Sequence, residues 1–315
     1  MIRYYALEQG RLTALEALQP GCWINIDPPI EQEELESLAN QFKFAIDYLI
    51  DSLDIDERSR YERDEDLGFI LVNTPILNEV DQENEAIYVT IPIGILLFKD
   101  YIVTISGRDN PVLNRFFEGK VRNFDPSDFS LFVLQIFEQN VLYFLSCLKK
   151  LNLKRNLIEK ELYNSSRNEE LKQLLRIEKS LVFFVNTLSA NELLKMKMKR
   201  SDFLKISDDE DKSDLFEDII IDNGQALEMA NVYTNILNGT MEAYASIVSN
   251  NLNVFIQRLT IVTVVLMVPT LVASFYGMNV PVPFQRSERS FYWIVIFSVV
   301  VSFLLVGIFR RKRLF

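Results

Sequence analysis

The 315-residue chain has no histidine and two cysteines, Cys22 and Cys147. Without imidazole there is no Ser-His-Asp or Cys-His nucleophilic chemistry, and the usual zinc-enzyme ligand sets are missing. The two cysteines are far apart and form neither a disulfide framework nor a CxxC metal motif, which fits a reducing compartment. There is no GxxxxGK[ST] phosphate loop. No pair of acids stands apart as a catalytic couple, so an enzyme is the least favoured class. Basic charge is scarce too: 33 Lys+Arg face 44 Asp+Glu, a net of −11. Nucleic-acid partners are thereby disfavoured, because phosphate contact needs basic side chains. The opening MIRYYALEQGRL lacks an apolar core of signal-peptide length, and no secretory leader is expected.

Long apolar runs are present, and charge is divided around them. Residues 1–258 hold 27 Lys+Arg and 43 Asp+Glu, whereas residues 259–315 hold six basic residues and one acid. The acidic part can attract cations, although for most of these acids solvation of a large surface is role enough. Leu259 to Gln285 is uncharged for 27 residues and Ser290 to Phe309 for 20. About 20 apolar residues cross a hydrocarbon core of about 30 Å. Pro281 and Pro283 end the first of these helices. The tail Arg310-Arg311-Lys312-Arg313 is a cytoplasmic anchor by the positive-inside rule. Two crossings then place both termini in the cytoplasm of a cell (inner) membrane, with loop 280–289 outside.

The chain in order predicts an α+β membrane protein. Residues 1–125 read as a cytoplasmic α/β domain. Its strands are 2–8, 23–27, 69–72, 87–91 and a hairpin over 94–105 turning at Lys99-Asp100. One helix is predicted over Glu31–Leu53. Residues 126–206 read as an antiparallel helical hairpin serving as structural support. Ser207 to Asp218 packs seven acids into twelve residues, the composition of a solvated run, and leads into a very long helix predicted from Asp214 to Tyr276. Residues 207–258 are its stalk, 259–279 the first transmembrane helix, 290–309 the second and 310–315 the basic tail.

Two stripes run along the long helix. Leu227, Ala230, Leu237, Met241, Tyr244, Val248, Leu252, Phe255 and Leu259 have coiled-coil spacing. Opposite them, Asn235, Asn238, Glu242, Ser246, Ser249, Asn253, Ile256, Thr260, Thr263, Met267, Thr270 and Ser274 step by three or four throughout, close to a 3.5-residue period. Hydroxyls in a membrane helix often serve only helix–helix hydrogen bonds. A stripe that continues from stalk into membrane fits a water-filled axis better.

Tyr276-Gly277-Met278-Asn279 closes the first apolar helix. It follows Met267-Val268-Pro269-Thr270 and precedes a proline-containing loop, a second helix and a basic tail. In this context it resembles the signature of the CorA family of magnesium transporters. Trp23-Ile24-Asn25-Ile26, the helix from Glu31, and Asp56 to Glu62 are similar to the family's N-terminal part, more loosely. The resemblance implies a homopentameric funnel in the lipid bilayer that carries hydrated Mg²⁺, with Co²⁺ or Ni²⁺ as surrogates, into the cytoplasm. No organic cofactor is implied. Mg²⁺ dehydrates reluctantly, so neutral oxygens of Asn279 and Gly277 could recognise it with its waters, while Tyr276 would buttress the turn at the interface. Gly277 would let the backbone leave the helix, the geometry of a Gly/Asn C-cap. By correspondence Asn253, Leu259, Met267 and Thr270 would line the pore, with Leu259 and Met267 as apolar constrictions able to gate by dewetting; the stripe adds Thr263 and Ser274 to that lining. Leu259 sits at the edge of the stripe. Arg310, Arg311, Lys312 and Arg313 would form a basic collar. Regulatory Mg²⁺ between subunits would be held by Asp66 with Asp218 or Asp222.

Two departures from the family pattern stand out: the outer loop VPVPFQRSER carries one acid, Glu288, against Arg286 and Arg289, and Ser59 replaces a proline in an Arg-Pro-Lys/Arg segment. The alternatives are a zinc transporter of the same superfamily, against which Met278 argues, and a two-span sensor or scaffold.

Overall fold

The computed structural model describes residues 2–8, 10–64, 67–79, 85–162, 168–281, 283 and 289–311. Two units, Met1–Thr240 and Met241–Phe315, meet inside one helix.

The first unit is built on a seven-stranded sheet. Its strands are β1 (Ile2–Glu8), β2 (Arg11–Leu15), β3 (Cys22–Ile26), β4 (Arg60–Asp64), β5 (Leu67–Leu77), β6 (Tyr88–Leu97) and β7 (Tyr101–Ile105). They lie in the order β2-β1-β3-β7-β6-β5-β4, and β3 with β7 is a parallel pair while the other pairs are antiparallel. Strand alternation distributes the side chains. Trp23, Ile70 and Val72 enter one apolar core, and Cys22, Ile24, Phe69 and Leu71 enter the other. Helices cover both faces, which is why β5 and β6 are buried almost end to end instead of alternating.

Two short helices, α1 (Gln32–Phe42) and α2 (Asp47–Asp51), cover one face. The other is covered by α3 (Pro111–Phe117), α4 (Phe129–Leu162), α5 (Asn168–Arg200) and the start of α6 (Glu210–Tyr276). There Trp23 packs against the rings of Phe116, Phe117, Phe124 and Phe132 at 4.6–6.2 Å between centroids. Its indole N–H donates to Thr104 at 2.7 Å, so the buried donor is satisfied.

The helical hairpin is pinned to a sheet edge. β4 pairs with β5 only as far as Leu71, leaving the peptide groups of Asn73 without a neighbouring strand on that side. Asn191 and Asn140 donate their side-chain amides to the Asn73 carbonyl at 2.8 and 3.0 Å, and the Asn73 N–H is shared between Ser59 and Asn191. Buried backbone groups must find partners, and side chains of α4 and α5 here replace a strand.

Some expected elements differ. The single helix over Glu31–Leu53 is two helices: Lys43 adopts a left-handed conformation (φ 55°) that caps α1. The break lets Phe42 and Phe44 both reach the ring of Phe98, at 6.0 and 5.7 Å. β6 runs unbroken through Pro92 where two strands were expected. Neither β2 nor β4 announces itself by hydrophobicity; both are edge strands, and β4 carries the charges that protect an edge. α6 starts four residues early, inside the acidic run. Asp209 accepts the Lys212 N–H at 3.1 Å as a cap, and Glu210 and Asp211 in the first turn suit the positive end of the helix dipole.

The second unit holds the rest of α6 and α7 (Ser290–Arg311). Among the described residues three helices are long and apolar enough to cross a membrane: α4, α6 and α7. The apolar window of α4 is 67% buried inside the first unit, against 0% for α6 and 11% for α7. The apolar surface of α4 is therefore core, while that of the other two requires another apolar environment.

Candidate functional site

Within the second unit, α7 covers one face of α6. Ile261, Val264, Val265, Val268, Pro269 and Val272 are half-buried on α6; on α7 Ser298 and Ser302 are buried. At about 100° per residue, the covered residues of α6 centre near Val265, and Thr260, Thr263, Met267, Thr270 and Ser274 fall on the opposite side. All five are exposed, as are Asn253 and Leu259. Met267 is 64% and Leu259 55% exposed. Leu259 lies at the rim of this face, where the sequence spacing put it. The sequence-predicted pore residues thus share the face of α6 that α7 leaves bare.

The threonines on that face have their protons committed. Thr260 donates to the Ile256 carbonyl at 2.8 Å, Thr263 to Leu259 at 2.9 Å and Thr270 to Leu266 at 2.8 Å. A hydroxyl has one donor and two acceptor lone pairs. With the donor turned back on the helix, each oxygen can offer lone pairs outward, the polarity that suits water bound to a cation.

At its end, α6 keeps its helical bond from the Gly277 N–H to Ala273 (2.9 Å), then tightens with Met278 to Phe275 (3.3 Å). The expected glycine C-cap is absent: among the described glycines positive φ occurs at Gly10, Gly21 and Gly119, and neither Gly277 nor Asn279 adopts it. A β-carbon at Gly277 would lie 3.4 Å from the Ala273 carbonyl, an ordinary contact. Among the described residues of one chain nothing requires glycine there. Tyr276 ends α6, and Met278 and Asn279 follow it, exposed. Glu288 and Arg286, in the loop between α6 and α7, lie outside the described residues.

Of the acids expected to be regulatory, Asp218 is exposed and Asp222 half-buried one turn further along α6, both in the first unit. Asp66 lies outside the described residues. Among those residues no group of three or more Cys, Asp or Glu is disposed to hold a metal. One or two carboxylates with several waters is nonetheless a donor set that Mg²⁺ takes, so either acid suits that ion chemically. Arg310 and Arg311 end α7; Lys312 and Arg313 lie outside the described residues.

The sequence reading missed Ser302, whose hydroxyl reaches across to the Val265 carbonyl of α6 at 3.2 Å. The available signal was Pro269, four residues after Val265.

An α/β unit followed by a long helix with a bare apolar end and by a second bare apolar helix defines a two-helix membrane protein. The chain belongs to the family described as CorA-like Mg²⁺ transporter protein, whose profile matches residues 19–311. It is 27% identical to the cobalt/magnesium transport protein CorA of Methanocaldococcus jannaschii, over 92% of this chain and 90% of the relative. Identity to the cobalt/magnesium transport protein CorA of Thermotoga maritima is 22%, over 98% and 90%. These relatives are transporters, not enzymes. The complete structure of the M. jannaschii CorA magnesium transporter superposes with a TM-score of 0.82 at 24% identity, covering 99% of this chain and 98% of that one. The cytoplasmic domain of ZntB from Vibrio parahaemolyticus shares the fold at TM-score 0.62 and 11% identity, covering 79% and 98%.

Proposed function

We propose that the chain is a Mg²⁺ channel that admits the ion, with Co²⁺ or Ni²⁺ as surrogates, to the cytoplasm down its electrochemical gradient. Five copies would surround an axis lined by the bare face of α6. The observation that carries this reading is the hydroxyl stripe opposite α7, exposed in the single chain with its threonine protons turned away. Facing other copies across an axis, it would offer neutral acceptors to a hydrated ion, with Leu259 and Met267 as constrictions. Asn279 and the Gly277 carbonyl would select the hydrated ion at the outer end, beside Tyr276 and Met278. Gly277, which no contact among the described residues of one chain requires, would then answer to close approach around the axis. An inside-negative potential supplies about 4.6 kcal/mol per 100 mV for a divalent ion, twice the single-charge value. Asp66 of one copy, with Asp218 or Asp222 of its neighbour, would hold regulatory Mg²⁺ and close the channel when cytoplasmic Mg²⁺ is high. Both termini would be cytoplasmic, with Arg310 to Arg313 as a basic collar.

The test is Mg²⁺ uptake into proteoliposomes under an inside-negative potential. The parent should conduct and Asn279→Ala should lose most of that flux. No uptake by the parent, or uptake indifferent to Asn279→Ala, rejects the channel.

A further inference from the structure

Pro269 interrupts the hydrogen-bond ladder of α6 inside its apolar stretch. A proline has no N–H, so the carbonyl four residues earlier loses its donor. That carbonyl belongs to Val265. In an apolar medium an unsatisfied carbonyl is costly, since no water can replace the missing partner.

The Ser302 hydroxyl lies 3.2 Å from the Val265 oxygen and 2.9 Å from the Ser298 oxygen of its own helix. It has one proton for two acceptors. The Ser298 carbonyl already faces the backbone N–H of Ser302 in the α7 ladder, whereas the Val265 carbonyl has lost its ladder donor to Pro269. The proton is needed across the gap. Ser302 is only 4% exposed, so solvent does not compete for it. One turn earlier, Ser298 is also buried, but its hydroxyl bonds the Ile294 carbonyl at 2.7 Å within α7.

We propose that Ser302 is a positioning residue of the ion path: its hydroxyl replaces the N–H that Pro269 lacks, tying α7 to the proline break in α6. Pro269 lies between Met267 and Thr270, which share the bare face. The direction α6 takes at the break sets where Met267 points relative to Thr270 and Ser274 beyond it. Clamping the freed carbonyl from α7 holds that direction. The proposal rests on the reading of the α6 stripe as the ion path.

The test is a double-mutant cycle on the full chain, read by Mg²⁺ uptake in proteoliposomes and by amide hydrogen exchange around Val268 and Thr270 in detergent. Ser302→Ala should lower uptake about five-fold or more and speed exchange at these amides, a coupling typical of groups in contact. In a Pro269→Ala background the Val265 carbonyl regains its helical donor, and Ser302→Ala should then alter uptake less than two-fold and leave exchange unchanged. Equal effects of Ser302→Ala in both backgrounds would make Ser302 a packing residue and overturn the proposal, as would no effect with Pro269 present. If Pro269→Ala does not fold, Ser302→Thr should keep parental uptake and exchange and Ser302→Val should lose both; equal behaviour of the two refutes the clamp. A parent that carries no Mg²⁺ refutes the channel, while the exchange measurements still decide the hydrogen bond.

Discussion

Lys195 offers a prediction whose sign and shape follow from the structure. It lies on α5, fully buried. Its Nζ donates to the Asn223 side-chain carbonyl on α6 at 2.7 Å and sits 5.5 Å from the centre of the Phe137 ring on α4. Asn223 in turn donates to the Leu188 carbonyl at 2.9 Å, so three helices meet around one amine. Burial pushes Lys195 down from 10.5 to about 7, and the nearby Glu192 opposes this only in part. The folded value is thus depressed below the unfolded one. Above 10.5 neither state carries the proton and the group contributes nothing. Between about 7 and 10.5 the unfolded chain holds a proton that the folded chain has released, so stability rises with pH. The slope for one full proton is about 1.4 kcal/mol per pH unit. Below about 7 both states are charged and the cost, several kcal/mol, no longer changes.

Lys195→Met removes this titration and leaves the Asn223 oxygen without its donor, at a cost of about 1–3 kcal/mol. That cost sets the offset between parent and variant but not its pH dependence. Denaturant unfolding of both proteins in detergent, followed by Trp23 fluorescence in a Trp293→Phe background, should show their stability difference moving in favour of the variant as pH falls from 10 to 7, then levelling. Parallel curves would refute the buried, proton-releasing lysine.

A second expectation concerns close packing: a β-carbon at Gly94 would come within 2.5 Å of the Ser52 β-carbon and 2.8 Å of an Ile105 methyl. Gly94→Ala should lower stability by about 1–3 kcal/mol or more, and an unchanged unfolding midpoint would contradict the contact between α2 and the sheet. A third concerns Asp128, which caps α4 and joins it to the start of α6 through Lys212 at 2.8 Å. Burial by itself would raise its carboxyl, but the bonds from Lys212, the Leu131 N–H and Ser130 hold it below 3.8. The stabilisation is present above 3.8 and lost as pH falls through the lowered folded value. Asp128→Asn should therefore cost about 1 kcal/mol at pH 7, with the gap closing in acid; a gap that persists at pH 2 would assign the loss to packing.

What was legible in the sequence was what periodicity and charge write into side chains. The strands around Trp23 and Phe69 stood out because they are apolar on both faces. The α6 stripe stood out because its 3.5-residue step survives from Asn235 to Ser274. The features that were hidden are backbone events. The break at Lys43 lies in an apolar spacing that reads as one helix, because the spacing does not reveal that Lys43 turns left-handed and brings Phe42 and Phe44 to one ring. β4 was obscured by the charges that suit an edge strand. Gly277 and Asn279 carry the composition of a helix cap, yet Gly277 keeps its helical bond to Ala273, so composition named a cap that the backbone does not make. Ser302 is the sharpest case, since its acceptor is a main-chain carbonyl 37 residues away and no side-chain pattern encodes that pairing. A proline inside an apolar helix does declare an unpaired carbonyl four residues back, and within a membrane that carbonyl must find a donor. Counting backbone donors and acceptors around Pro269, rather than hydrophobicity, therefore points from the sequence towards the buried serines of the second helix.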